Sequence, residues 1–237
     1  RRALQAEVGQ LRRDLAMGGA KGAGPEVREI AGVRFIAQVL TGVSGKDLPP
    51  MIDAVAKRLA EAWGSIEALV HGIAFARKED LEGEFVATPR EGFQMALDIS
   101  AYSLINVTHR VRPLLEKNGA SIVTLSYLAA ERVVPSYNVM GSAKAVLEQS
   151  VRQLAYELGP QNVRVNAISA GPVNTLAARG IHGFTDMLKK HAERAPLKRN
   201  ITKDEVGKAG LFLLSDLASG ITGEVLYVDA GYHIMGW

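Results

Sequence analysis

Helix-period segments alternate with short apolar runs from Leu48 onward, and this alternation restricts the chain to an α/β fold more tightly than any other feature. Ile52, Val55, Ala56, Leu59, Ala62 and Trp63 recur at three- and four-residue intervals, which predicts an amphipathic helix ended by Gly64. The run EALVHGIAFA reads as a buried strand passing into a loop. One long helix is expected over REGFQMALDISAYSLINVTHRVRPLLEK, stopping near Asn118-Gly119. ASIVTLS reads as a second buried strand, followed by a helix from about Tyr137 to Leu158 that Gly159-Pro160 stops. NVRVNAIS and EVLYVD are the remaining strands. Between them, KDEVGKAGLFLLSD is a helix with Thr202 as N-cap and Glu205 as its capping-box partner. There are no internal repeats, and no low-complexity linker follows residue 50.

The chain has 237 residues, enough for one domain with a sizeable core. It contains no cysteine, which excludes a disulfide framework, a thiolate zinc site and a redox thiol. Its five histidines, His71, His109, His182, His191 and His233, show no metal-ligand spacing, so they read as structural or exposed and no metal is expected. No apolar run reaches the ~18 residues that a membrane span needs, and no signal peptide opens the sequence. A cytoplasmic protein is the expectation. The net charge of +3 is too small to point to nucleic acid.

In a parallel, doubly wound sheet, ligands collect at the carboxyl ends of the strands. Gly72 to Ala76, Ser126 and Tyr127, and Ala170 to Thr175 all fall at such ends. Tyr137 and Lys144 stand seven positions apart, about two helical turns and only ~20° out of register, so both side chains share one stripe of a helix opening near Ser136. An ammonium beside a phenol favours the phenolate and should lower the tyrosine's pKa from its reference near ~10. Such a phenol is a proton donor, or a hydrogen-bond donor to a developing enolate. On spacing alone, an amphipathic helix that happens to carry both residues is the plainer account.

The surrounding residues change that balance. SYLAAERVVPSYNVMGSAKA, VRVNAISAGPVNTLAARGI and LASGITGEVLYVDAGYHIMG closely resemble the NADH-dependent enoyl-[acyl-carrier-protein] reductases of bacterial type II fatty-acid synthesis. These are a divergent branch of the short-chain dehydrogenase/reductases, marked by a longer gap between the active-site Tyr and Lys, and this chain has that six-residue gap. Ser100 supports the same branch, standing in a segment where the wider superfamily carries Asn. The resemblance is dense from about residue 52 to 236. It implies a single Rossmann-type α/β domain over 1–237, with helices on both faces of the sheet, that reduces trans-2-enoyl thioesters with NADH.

Residue by residue, the resemblance implies catalytic roles for Tyr137, Lys144 and Tyr127. Tyr137 would be the donor to the enolate, Lys144 the partner of the nicotinamide ribose, and Tyr127 either a substrate contact or a pocket wall. Gly72, Ile73, Ala74, Lys144, Ala170, Pro172, Val173 and Thr175 match cofactor-binding positions. Phe75, Ala76, Tyr127, Met140, Ala177, Ile181 and Phe184 match the lining of the acyl pocket. Most relatives carry Ser where Gly72 stands. Residues 172–200 match the family's mobile substrate-binding segment. The basic side chains Arg179, Lys189, Lys190, Arg194, Lys198 and Arg199 would face an acidic acyl-carrier protein, and the family implies a homotetramer assembled through helices 91–117 and 137–158 and the C-terminal GYHIMGW.

The start of the chain departs from the pattern. RRALQAEVGQLRRDLA looks like the helix after the family's second strand, so the first βαβ unit, with its glycine-rich phosphate-binding turn, is expected to be absent, and residues 1–50 are divergent or truncated. AMGGAKGAGPE is glycine-rich but follows a helix, and reads as a loop. VRFIAQVLTGVSGKD reads as a strand and loop without the family's Asp-Val pair near the adenine. Two alternatives therefore stand beside the reductase: a non-catalytic paralogue deficient in cofactor, and a short-chain reductase acting on an alcohol or ketone.

Overall fold

The described residues, 27–37, 48–175, 178 and 183–236 of a computed structural model, divide between two units that meet in sequence at Arg58 and Leu59. In the first unit, β1 (Val27–Ile30) and β2 (Val33–Ile36) form an antiparallel hairpin. Its turn residues, Ala31 and Gly32, have φ of 51° and 80°, the positive values of the turn that matches strand twist. β2 lies where a strand was expected, whereas β1 was not foreseen. The helix and glycine-rich loop expected before residue 27 lie outside the described residues.

Helix α1 (Leu48–Ala62) tolerates Pro49 and Pro50 because the first helical turn has no use for their missing N–H groups. It ends where the sequence predicts. Gly64 takes a φ of +75°, and the N–H groups of Trp63 and Gly64 both donate to the Leu59 carbonyl.

The second unit is built on a parallel sheet of order β3-β4-β5-β6: Ala68–His71, Ala120–Ser126, Val163–Ala170 and Val225–Val228. Its helices are α2 (Lys78–Leu81), α3 (Arg90–Leu97), α4 (Ser103–Leu115), α5 (Asn138–Leu158), α6 (Phe184–Arg194) and α7 (Lys203–Leu214). Alternate residues of β4 point to opposite faces. Ser121 donates to the Leu213 carbonyl of α7, and Val123 packs with Ile168, Leu213 and Ala218. On the other face, Thr124 meets His71, which reaches Ser103 of α4, and Ser126 bonds Glu148 of α5. Helices thus cover both faces, as expected of a doubly wound sheet. The capping box at Thr202 and Glu205 forms as predicted.

Two expectations are corrected. β3 is not a buried strand: among the described residues it pairs with β4 alone, and Val70 is 58% exposed. An apolar run cannot say whether a strand has neighbours on both sides. The long helix over residues 90–117 is interrupted by a π-helical turn, Asp98–Tyr102, between α3 and α4. Such turns often occur at functional sites.

Gly92 in α3 allows a close approach. A Cβ there would lie 2.3 to 2.5 Å from the carboxylate atoms of Asp80, which is buried and held by Arg77 at 2.7 and 3.0 Å. Gly→Ala in an open helix adds about 1 kcal/mol. Here the added methyl group must displace a buried ion pair, so Gly92→Ala should cost roughly 1–3 kcal/mol in thermal unfolding. A raised melting midpoint would show that Asp80 yields freely.

Candidate active site

The carboxyl ends of β3, β4 and β5 bring His71-Gly72, Ser126-Tyr127 and Ala170-Gly171 side by side, because the parallel register pairs His71 with Thr124 and Ser126 with Ser169. β4 is clamped to α5 at two successive residues. Lys144 Nζ donates to the Leu125 carbonyl at 2.6 Å, and Ser126 Oγ donates to Glu148 Oε1 at 2.6 Å. Lys144 and Glu148 stand one helical turn apart, and both are buried. The next residue of the chain, Tyr127, meets Tyr137 edge to face, with ring centroids 4.9 Å apart. The Tyr127 hydroxyl donates to Met187 Sδ of α6 at 3.4 Å, which joins that helix to the same cluster.

Tyr137 is not inside the helix. It is the residue before α5, with φ −118° and ψ −17°, and its carbonyl accepts from Met140 N. Positive φ values at Ser136 and Asn138 turn the chain sharply around it. The expected fall in its pKa does not occur. Removal from water, with Tyr127 adding to the effect, raises the phenol above its ordinary value, and Lys144 is not among the causes. Tyr127 is pushed up to about 12 by the same burial. Burial lowers Lys144 to about 8, against an opposing pull from Glu148.

The loop after β3 is held by residues that the sequence did not single out for this. Ser100, in the π-helical turn, accepts from Phe75 N at 2.9 Å and donates to Phe75 O at 3.0 Å, while its oxygen lies 3.5 Å from Met140 Sδ. A serine bonded to both the N–H and the carbonyl of one distant residue fixes that loop's path. His71 lies between Thr124 Oγ1 and Ser103 Oγ, each at 2.9 Å. Ser103 donates its own hydrogen to Ile99 O, so it accepts from the imidazole, which is neutral with a pKa lowered to about 4 by burial. His71 thus bridges β3, β4 and α4 as a neutral ring.

Other expected positions divide. Gly72 is exposed, and a Cβ there would have nothing within 4 Å. Ile73 and Ala76 are half-buried, whereas Ala74 and Phe75 are exposed. Met140 and Phe184 are buried, the latter at the start of α6. Pro172 is buried. The side chains of Ala170 and Val173 are half-buried and pack against Ala195, Ile201 and Ala230. Thr175 Oγ1 accepts from Ala178 N at 3.1 Å. Ala177 and Ile181 lie outside the described residues.

A family model described as "Enoyl-(Acyl carrier protein) reductase" matches residues 49–233. The enoyl-[acyl-carrier-protein] reductase [NADH] of Nostoc sp. is 56% identical over 178 residues, which are 75% of this chain and 69% of that protein. The crystal structure of the NADH enoyl-[acyl-carrier-protein] reductase of Aquifex aeolicus superposes with a TM-score of 0.78 at 51% identity, over 81% of this chain and 75% of that one. The Anaplasma phagocytophilum enzyme, solved in complex with NAD, gives 0.77 at 50% identity, over 81% and 73%. With a model match over most of its length and relatives at half identity or better, the chain belongs to the enoyl-(acyl carrier protein) reductase family.

Proposed function

We propose that the chain reduces trans-2-enoyl thioesters of acyl-carrier protein with NADH, in cytoplasmic fatty-acid synthesis, and that Tyr137, Lys144 and Tyr127 are its catalytic residues. The observation that carries the reading is the gathering of these three residues at the carboxyl end of β4, in a chain of this family. The nicotinamide end of the cofactor fits the donors present. Lys144 is a buried ammonium that uses one of its three hydrogens on Leu125, and Gly72 leaves open space at the end of β3. Lys144 would hold the ribose. Gly72, Ile73, Ala74, Ala170, Pro172, Val173 and Thr175 would border the rest. Bound there, the dinucleotide supplies hydride to the substrate's β-carbon.

Tyr137 acts on the charge that then develops on the thioester oxygen. Its raised pKa keeps the phenol protonated across the neutral range, so it serves as a fixed hydrogen-bond donor to the enolate. Phe75, Ala76, Tyr127, Met140, Ala177, Ile181 and Phe184 would enclose the acyl chain, with Tyr127 placed against Met187 of α6. The alternative is a subunit deficient in cofactor, which NADH binding decides.

Two variants separate these readings. Tyr137→Phe should leave NADH affinity, read from Trp63 fluorescence, nearly unchanged and lower kcat by roughly a hundredfold or more with crotonyl thioester. Lys144→Ala should weaken NADH binding roughly ten- to a hundredfold and lower turnover with it. Wild-type protein that shows no NADH binding would favour the cofactor-deficient subunit.

The acyl-carrier partner would meet the exposed Lys189, Lys190 and Arg194 of α6. Of the other basic residues, Arg199 pairs with Glu205 at 2.6 Å, Lys198 donates to the Glu193 carbonyl and keeps its charge, and Arg179 lies outside the described residues. Rates with carrier-protein thioesters should fall more steeply with salt than rates with coenzyme A thioesters. Lys189→Glu with Lys190→Glu should flatten that difference, and an unchanged salt dependence would locate docking elsewhere.

A homotetramer is part of the same proposal. Tyr102 at 52% exposure, Ile105 on α4, and Val146 and Tyr156 on α5 leave apolar surface for a partner to cover. Sedimentation should give about four times the chain mass, and a stable monomer would remove this part of the reading.

A further inference from the structure

Glu148 has no part in the chemistry derived above, yet it is a carboxylate with 3% exposure one helical turn from the proposed ribose-binding lysine. An isolated charge in such a place is costly unless it is held and paired. Ser126 Oγ holds it at 2.6 Å. Among the described residues the nearest cation within ion-pair reach is Arg152 at 3.9 Å, one turn further along α5 and half exposed. Residues 144, 148 and 152 therefore form an i, i+4, i+8 ladder of alternating charge running from the site to the surface. The two clamps on β4 differ by a single residue: Lys144 takes the Leu125 carbonyl and Glu148 takes the Ser126 hydroxyl.

We propose that Glu148 is a positioning residue for Lys144: fixed by Ser126, its carboxylate keeps the Lys144 ammonium charged and facing the end of β4. The inference rests on the reductase reading for its purpose, though not for its physics.

The other charged groups near the pair are few. From β3, His71 is coupled to Lys144 but remains neutral. From the turn after β4, Glu131 acts on Glu148 and is itself bonded by the Tyr227 hydroxyl of β6. Tyr127 and Tyr137 stay protonated. Glu148 is thus the one group that opposes the loss of charge burial imposes on Lys144. With Lys144 near 8, its ammonium is lost as pH rises through that value, and removing the Glu148 charge moves the loss to lower pH.

The test is a pH titration of the Lys144 side chain by NMR in isotope-labelled protein, with the resonance assigned through Lys144→Arg and no cofactor present. Glu148→Gln keeps an oxygen for the Ser126 hydrogen and removes only the charge. Its Lys144 midpoint should fall by roughly one pH unit. Glu148→Asp, which restores a carboxylate, should return most of that shift. The alkaline limb of NADH affinity should move in parallel. An unchanged midpoint in Glu148→Gln, or equal midpoints in Gln and Asp, would overturn the inference. A shifted midpoint in a protein that binds no NADH would uphold it and reject the reductase reading instead.

Discussion

The bond from Lys144 Nζ to the Leu125 carbonyl sets the position of almost everything else in the site. It joins the long helix α5 to the carboxyl end of β4, one residue before Ser126 and two before Tyr127. A strand end has a carbonyl that need not pair within the sheet, and a lysine on the helix above supplies the partner. Ser126 and Glu148 repeat the connection one turn along. With two successive residues of β4 tied to two successive turns of α5, neither element can slide or rotate alone. The contact between Tyr127 and Tyr137 follows from that constraint, because one ring is attached to the strand and the other to the start of the helix.

Burial acts on every titratable group here in the same sense, towards the neutral form. It raises the two phenols and the Glu148 carboxyl and lowers Lys144 and His71. For the tyrosines this favours donation, since a phenol that resists ionisation keeps its hydrogen on the oxygen. For lysine it is a threat, since a neutral amine has one donor fewer and no charge. A site that wants a protonated tyrosine and a charged lysine in one dry environment needs an anion beside the lysine alone, and Glu148 lies on the lysine's helix, one turn beyond it.

The sheet strands, the capped helix α7 and the convergence at strand ends were legible because each has a local signal: apolar runs, a Thr-x-x-Glu box, and alternation. The Tyr137–Lys144 spacing was legible, but neither Tyr137's place before the helix nor its electrostatics were, because spacing says nothing of how the chain turns there or how much water remains. The π-helical turn at Asp98–Tyr102 carries no sequence signal against a continuous helix. Within it Ser100 bonds the backbone of Phe75, 25 positions away, a tertiary contact that local propensity cannot report. Glu148 was hidden for a similar reason. A glutamate at i+4 from a lysine reads as an exposed helix pair until the strand beneath it is known.

The loop after β5 shows the same dependence on long-range fit. Gly171 donates to the Val228 carbonyl at 2.8 Å, and a Cβ on it would come within 2.9 Å of His191 Nε2 and 3.1 Å of Asp229 Cα. His191 belongs to α6, bonds Asn200 and stacks on Tyr232, whose rings are 4.7 Å apart. Asp229 in turn accepts from Gly231 N and His233 N, which shapes the chain after β6. The backbone proposed to border the cofactor is therefore held at Gly171 between the end of α6 and the turn after the last strand. The requirement there is for the absence of a side chain, and it follows from how closely three separate parts of the chain approach one another.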